Sequence, residues 1–198
     1  MEENNEAKIK PQESKKGGVV KKFLPFVWEI VQMVVIALAI VLPIRYFLFQ
    51  PFIVRGESMV PSFMPGDYLI VDELSYRFSN PERGNVIVFK YPKDTTQRFI
   101  KRIIGLPNET IEIKDGKVTI YNSGAVALLE EYLPDDLKTE GETKVVLGDD
   151  EYFVLGDNRS RSFDSRMWGT VPKGNIIGKA YLRIFPLNTL SQIPTPSY

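Results

Sequence analysis

Two residues have types suited to joint chemistry. Ser58 lies in Gly56-Glu57-Ser58-Met59-Val60-Pro61, and Lys101 lies in Phe99-Ile100-Lys101-Arg102-Ile103. The chain has no histidine and no cysteine, so a histidine-assisted serine nucleophile and a thiol nucleophile are both excluded. A serine hydroxyl is barely ionised near neutral pH and needs a base within hydrogen-bond reach. Lysine is the residue best suited to that part. A solvated lysine is protonated and useless as a base, but burial among apolar groups disfavours the charged form and lowers its pKa. On a strand over 98–104, alternation puts Phe99, Lys101 and Ile103 on one face and leaves Arg102 to solvent on the other. Taken singly, Ser58 reads as a turn serine and Lys101 as a snorkelling strand lysine. The chemistry needs the pair.

A third polar stretch, Gly156-Asp157-Asn158-Arg159-Ser160-Arg161-Ser162-Phe163-Asp164-Ser165-Arg166, directly follows the apolar run Tyr152-Phe153-Val154-Leu155. It therefore starts at the edge of a core. Acids and arginines at this spacing can form bidentate pairs that fix the shape of a loop. A hydroxyl on such a loop could orient a neutral amine.

Short strands punctuated by glycine and proline are expected to position these groups. Tyr68–Val71, Val86–Phe89, Ile111–Ile113, Val118–Ile120, Tyr152–Leu155 and Ala180–Ile184 read as strands, and Lys114-Asp115-Gly116-Lys117 reads as a hairpin turn. Residues 122–144 look like a polar excursion between strands. No long amphipathic helix follows residue 50. The expected fold is mainly β, an antiparallel barrel or folded sheet, with one N-terminal transmembrane helix.

That helix is expected over 23–49, where Glu29, Gln32 and Arg45 are the departures from an apolar run. A span needs about 20 such residues. Trp28 and Tyr46 lie near its ends, as interface aromatics do. Ala37-Leu38-Ala39 mimics a signal-peptide cleavage site, but it lies in mid-run and the run is too long for a signal core. Lys15, Lys16, Lys21 and Lys22 hold the N-terminal flank in the cytoplasm by the positive-inside rule. Residues 1–22 then form a disordered cytoplasmic leader, and 50–198 a domain outside the membrane. Ser58 would lie at most about 30 Å of extended chain beyond Phe49, and the apolar stretches Pro51–Ile53 and Val60–Met64 could touch lipid.

The composition narrows the function class. The formal net charge is zero, which gives no reason to expect nucleic acid as a partner. Without cysteine or histidine there are no thiolate metal sites and no imidazole ligands. No acidic run has EF-hand spacing, and the proposed chemistry calls for no metal or cofactor.

Together the anchor, the Ser-Met-x-Pro core at Ser58, Lys-Arg-Ile-Ile-Gly from Lys101 and the Gly-Asp-Asn-Arg-x-x-Ser-x-Asp-Ser-Arg loop resemble bacterial type I signal peptidases. These are membrane-anchored Ser/Lys proteases that remove signal peptides from exported preproteins. The single span and short outer domain are similar to the smaller forms of Gram-positive bacteria. The resemblance implies Ser58 as nucleophile, Lys101 as general base and Ser162 as hydrogen-bond partner of the amine, with Asp157, Asp164 and Arg166 as support. It implies that Val54, Met59, Phe63, Phe99 and Ile100 line a shallow pocket for a small side chain. The implied partners are preprotein signal peptides and the lipid bilayer; the oligomeric state stays open.

Three positions depart from the family pattern. Asn85 replaces a common aspartate, so a salt bridge there is in doubt. Ser62 replaces threonine. Gly56 stands where some members place an oxyanion-binding serine, leaving the Ser58 amide and an unassigned second donor. Two other readings stay open: a tethered β-domain that binds peptides without cutting them, and a processing protease dedicated to one secreted partner.

Overall fold

The computed structural model describes residues 18–47, 49–122, 124–128, 130, 132–134, 137–193 and 195–196. Helix α1 covers Gly18–Phe47. Residues Pro25–Leu42 are long and apolar enough to cross a membrane, with a mean hydropathy of 2.3, and none of them is buried. The helix thus starts before the apolar run does. Of the expected leader, residues 1–17 lie outside the described residues, with Lys15 and Lys16 among them. At the other end of the run, Phe49 opens a strand rather than extending the helix.

Twelve strands follow among the described residues: β1 Phe49–Ile53, β2 Tyr68–Asp72, β3 Val86–Tyr91, β4 Asp94–Gly105, β5 Thr110–Lys114, β6 Lys117–Tyr121, β7 Ala125–Ala127, β8 Thr143–Val146, β9 Glu151–Leu155, β10 Val171–Pro172, β11 Ile176–Phe185 and β12 Ser191–Gln192. A short helix α2, Ser165–Trp168, lies between β9 and β10. The larger sheet runs β1-β2-β11-β3-β4-β9-β10, with β12 beside β11; the smaller runs β7-β6-β5-β8. Every pairing is antiparallel. The sheets are open, so the folded-sheet alternative holds and the closed barrel does not. The expected hairpin is present: Asp115 (φ 53°) and Gly116 (φ 78°) form a two-residue turn between paired Lys114 and Lys117. Only glycine and a few polar residues take that conformation easily.

Alternation along the strands explains how three core clusters form. On β9, Phe153 and Leu155 join Ile111, Ile113, Val118 and Ile120 of the small sheet, whereas Tyr152 and Val154 join Ile87, Phe89, Ile103 and Trp168. One strand therefore holds two cores, one on each face. Strand β3 divides similarly: Ile87 and Phe89 enter the Trp168 cluster, and Val86 joins Val54, Met59, Phe63 and Leu69. A run buried on both faces is apolar throughout, as Val86–Phe89 is. The back of β4, from Lys101 to Gly105, is buried, while its front from Thr95 to Arg98 is exposed. The neighbouring strand β9 pairs only with Arg102, Ile103 and Gly105, so the front of β4 keeps one open edge.

Candidate active site

Ser58 sits in the turn that follows β1, and Lys101 sits midway along β4, paired with Ile87. The fold brings Lys101 Nζ to 2.7 Å from Ser58 Oγ; the same nitrogen donates to the Ile100 carbonyl at 2.9 Å. Lys101 is only 4% exposed, beside the Phe99 ring. Burial pushes its pKa from 10.5 down to about 8, against the opposing pull of the Asp164 and Asp157 charges. In the fraction of molecules that carry the neutral amine, a hydroxyl in hydrogen-bond contact with it can pass it a proton.

The loop after β9 clamps the serine turn by its backbone. The Asn158 amide donates to the Ser58 carbonyl at 3.0 Å, and Asn158 Nδ2 donates to the Glu57 carbonyl at 3.1 Å. Gly156 marks the closest approach. A Cβ there would stand 2.4 Å from the Ser58 carbonyl oxygen and 2.2 Å from Ser162 Oγ. Asp157 receives Arg102 bidentately, at 2.9 and 2.7 Å, with both side chains buried. Asp164 caps α2, accepts from the Gly156 amide at 3.1 Å and pairs bidentately with Arg166 at 2.8 and 2.9 Å. Arg166 also donates to the Arg159 carbonyl at 2.6 Å. Buried Arg159 pairs with Glu130 and donates to Thr139, which ties the loop to the excursion between β7 and β8.

Three expectations need correction, and the doubt about a salt bridge at Asn85 agrees with the structure. Arg102 is not solvated: its face of β4 is covered by Asp157 and by the Tyr132 ring, 4.2 Å from the guanidinium. Ser162 does not bond the Lys101 amine; its buried Oγ has no hydrogen-bond partner among the described residues. Val54, Phe99 and Ile100 line a groove of about 710 Å³ beside the pair, but Met59 and Phe63 do not. Each is 1% exposed and packs in the core cluster that holds Val54. Asn85 forms no salt bridge; it accepts from the Tyr76 hydroxyl at 2.8 Å, and the neighbouring Arg83 pairs with Glu109.

Sequence reasoning missed Phe52, Ile53, Arg98 and Phe163, which also line the groove. The first two were absorbed into the membrane-proximal apolar stretch. Pro51-Phe52-Ile53 is apolar throughout, so no alternation marked it as a strand. Asn158 gave no signal, since asparagine after Gly-Asp reads as a turn residue. The open edges of β1 and of the front of β4 both border the groove.

Known proteins share this arrangement of sequence. Residues 27–185 match the family described as signal peptidase, peptidase S26. A signal peptidase I of Leptolyngbya laminosa is 39% identical over 180 residues, covering 86% of this chain and 86% of that protein. A probable signal peptidase I-1 of Synechocystis sp. is 37% identical over 175 residues, with coverage of 85% and 87%. A signal peptidase I of Bacillus amyloliquefaciens is 35% identical over 176 residues, with coverage of 83% and 89%. The chain, a serine peptidase by this kinship, belongs to the signal peptidase family S26.

Proposed function

We propose that this protein removes signal peptides from exported preproteins by a Ser58/Lys101 dyad, cutting after small side chains. The 2.7 Å contact between the Ser58 hydroxyl and a buried amine carries this reading. Ser58 Oγ attacks the scissile carbonyl carbon while its proton passes to Lys101 Nζ. The ammonium returns that proton to the leaving amine, and the peptide C–N bond breaks. Water then gives a proton to the same nitrogen and attacks the ester, and Ser58 is regenerated. The Ser58 amide, which donates to no acceptor among the described residues, supplies one oxyanion hydrogen bond. Ser162, buried and unpaired beside the Ser58 carbonyl, offers a hydroxyl to orient the amine once the Ser58 proton has moved. Asp157, Asp164 and Arg166 hold the loop that fixes these positions.

The preprotein enters as an extended strand between β1 and β4, its main chain paired to their open edges. Val54, Phe99 and Ile100 flank the residues before the cut. Helix α1 anchors the chain, with Lys21 and Lys22 on the cytoplasmic side and 50–198 outside. The test is to incubate purified protein with a preprotein and map the cut by mass. Cleavage after a small residue is expected, with none from Ser58→Ala or Lys101→Ala despite native circular dichroism. Full cleavage by Lys101→Ala would remove the assigned base.

A further inference from the structure

The groove beside the dyad carries an unbalanced positive charge. Its charged lining residues are Arg55, Glu57, Arg98, Lys101 and Arg161. Glu57 is spent on Arg161, 2.6 Å away. Arg55 and Arg98 are exposed and have no ion-pair partner among the described residues. Arg98 is the better placed. It projects from β4 toward the opposite wall, its guanidinium 5.6 Å from the centroid of the Phe52 ring on β1. An aromatic face steadies a cation without neutralising it. The cross-strand neighbour of Arg98 is Lys90, a like charge directly opposite. The acid whose charge it feels is Glu73, with no ion pair between the two among the described residues. A steadied guanidinium that has Glu73 nearby but no ion pair with it keeps N–H donors for a carboxylate.

Its place along the strand fixes which carboxylate. Arg98 stands three residues before Lys101 on β4, about 10 Å along the strand. On the proposed reading, Val54, Phe99 and Ile100 flank the residues before the cut, so Arg98 lies further along that same side. An extended peptide with its scissile carbonyl at Ser58 brings the fourth residue before the cut to that distance. We propose that Arg98 is a specificity-determining residue that favours preproteins with aspartate or glutamate at about the fourth residue before the cleavage site. This inference rests on the proteolytic reading above and goes beyond the small residues next to the cut.

The experiment uses the full-length protein in detergent and two peptides that differ only in glutamate or lysine at the fourth residue. The kcat/KM ratio is compared within each protein, which cancels any general loss of activity in a variant. At low salt the ratio is expected to favour glutamate by roughly three- to fivefold, as an exposed charge pair allows, and to approach one at 1 M salt. Arg98→Gln should bring the ratio to about one, and Arg98→Glu should invert it. Moving the glutamate through positions two to six should place the maximum at three to five. A ratio of one in the unmodified protein, a preference that survives Arg98→Glu, or a maximum at the second residue would each overturn the proposal. Loss of all cleavage from every peptide would instead sink the proteolytic reading, and this inference with it.

Discussion

An amine whose pKa is about 8 is protonated in most molecules at neutral pH, so Lys101 should limit the rate there. The fraction of neutral base grows about tenfold per pH unit below the pKa. kcat/KM for a neutral peptide should therefore climb with that slope through pH 6 to 7 and level off above about 8. A flat profile through acidic pH would contradict the role. The same burial weakens the fold. Lowering the pKa from 10.5 to about 8 means that the unfolded chain holds a proton more tightly between those values. Stability consequently rises with pH across that window, and the full penalty is present below it. Its size is about 3 kcal/mol. Lys101→Met keeps the buried stem and removes the charge. Urea unfolding at pH 7 should show it to be more stable than the parent by up to that amount, and inactive. A destabilised Lys101→Met would mean that the amine is better solvated than its 4% exposure indicates.

The loop between β9 and α2 holds the site through paired charges, and it shows what the sequence could and could not reveal. Ser58, Lys101 and the polar stretch from Gly156 were legible because their residue types are specific and their order along the chain is informative. The contact between them was not, since Lys101 and Asn158 meet Ser58 only through tertiary folding. Arg102 was misread for the same reason: strand alternation gives its face but not what covers that face. The family resemblance puts Met59 and Phe63 in the groove lining, yet apolar residues near a nucleophile fit a core as well as a pocket. Buried as they are, Arg102 and Asp157 depend on each other. Removing one leaves an unpaired buried charge, so Asp157→Ala should cost about 3–5 kcal/mol and strip activity with it. Arg102→Met combined with Asp157→Leu should recover much of that stability, measured by thermal melting, without restoring full turnover. At Gly156 the obstacle is backbone rather than charge. An added methyl would meet the Ser58 carbonyl at 2.4 Å, so Gly156→Ala should lower kcat at least a hundredfold as the serine is displaced. Wild-type kcat in that variant would show that the turn tolerates the shift.

At the scale of the whole molecule, Ile44–Tyr198 forms a compact unit with its own cores, and α1 as far as Pro43 belongs to another. The dyad, the groove and, among the described residues, those that clamp them lie in the first of these units. The proposed chemistry uses no residue of α1, whose stretch Pro25–Leu42 is exposed and predominantly apolar. The contribution of the helix should then be one of concentration. Holding enzyme and preprotein in one bilayer confines their encounters to a plane, and tethering of this kind raises apparent rates by about a hundredfold or more without a new contact. A chain lacking residues 1–43 should accordingly cut a short soluble peptide with a kcat/KM within about twofold of the intact protein, since its groove is unchanged. The same truncated chain should process a preprotein embedded in vesicles at least a hundredfold more slowly than the intact enzyme. Both substrates are needed. Equal loss on each would mean that the helix supports the fold of the catalytic unit, and equal turnover of embedded preprotein would mean that anchoring confers no kinetic advantage.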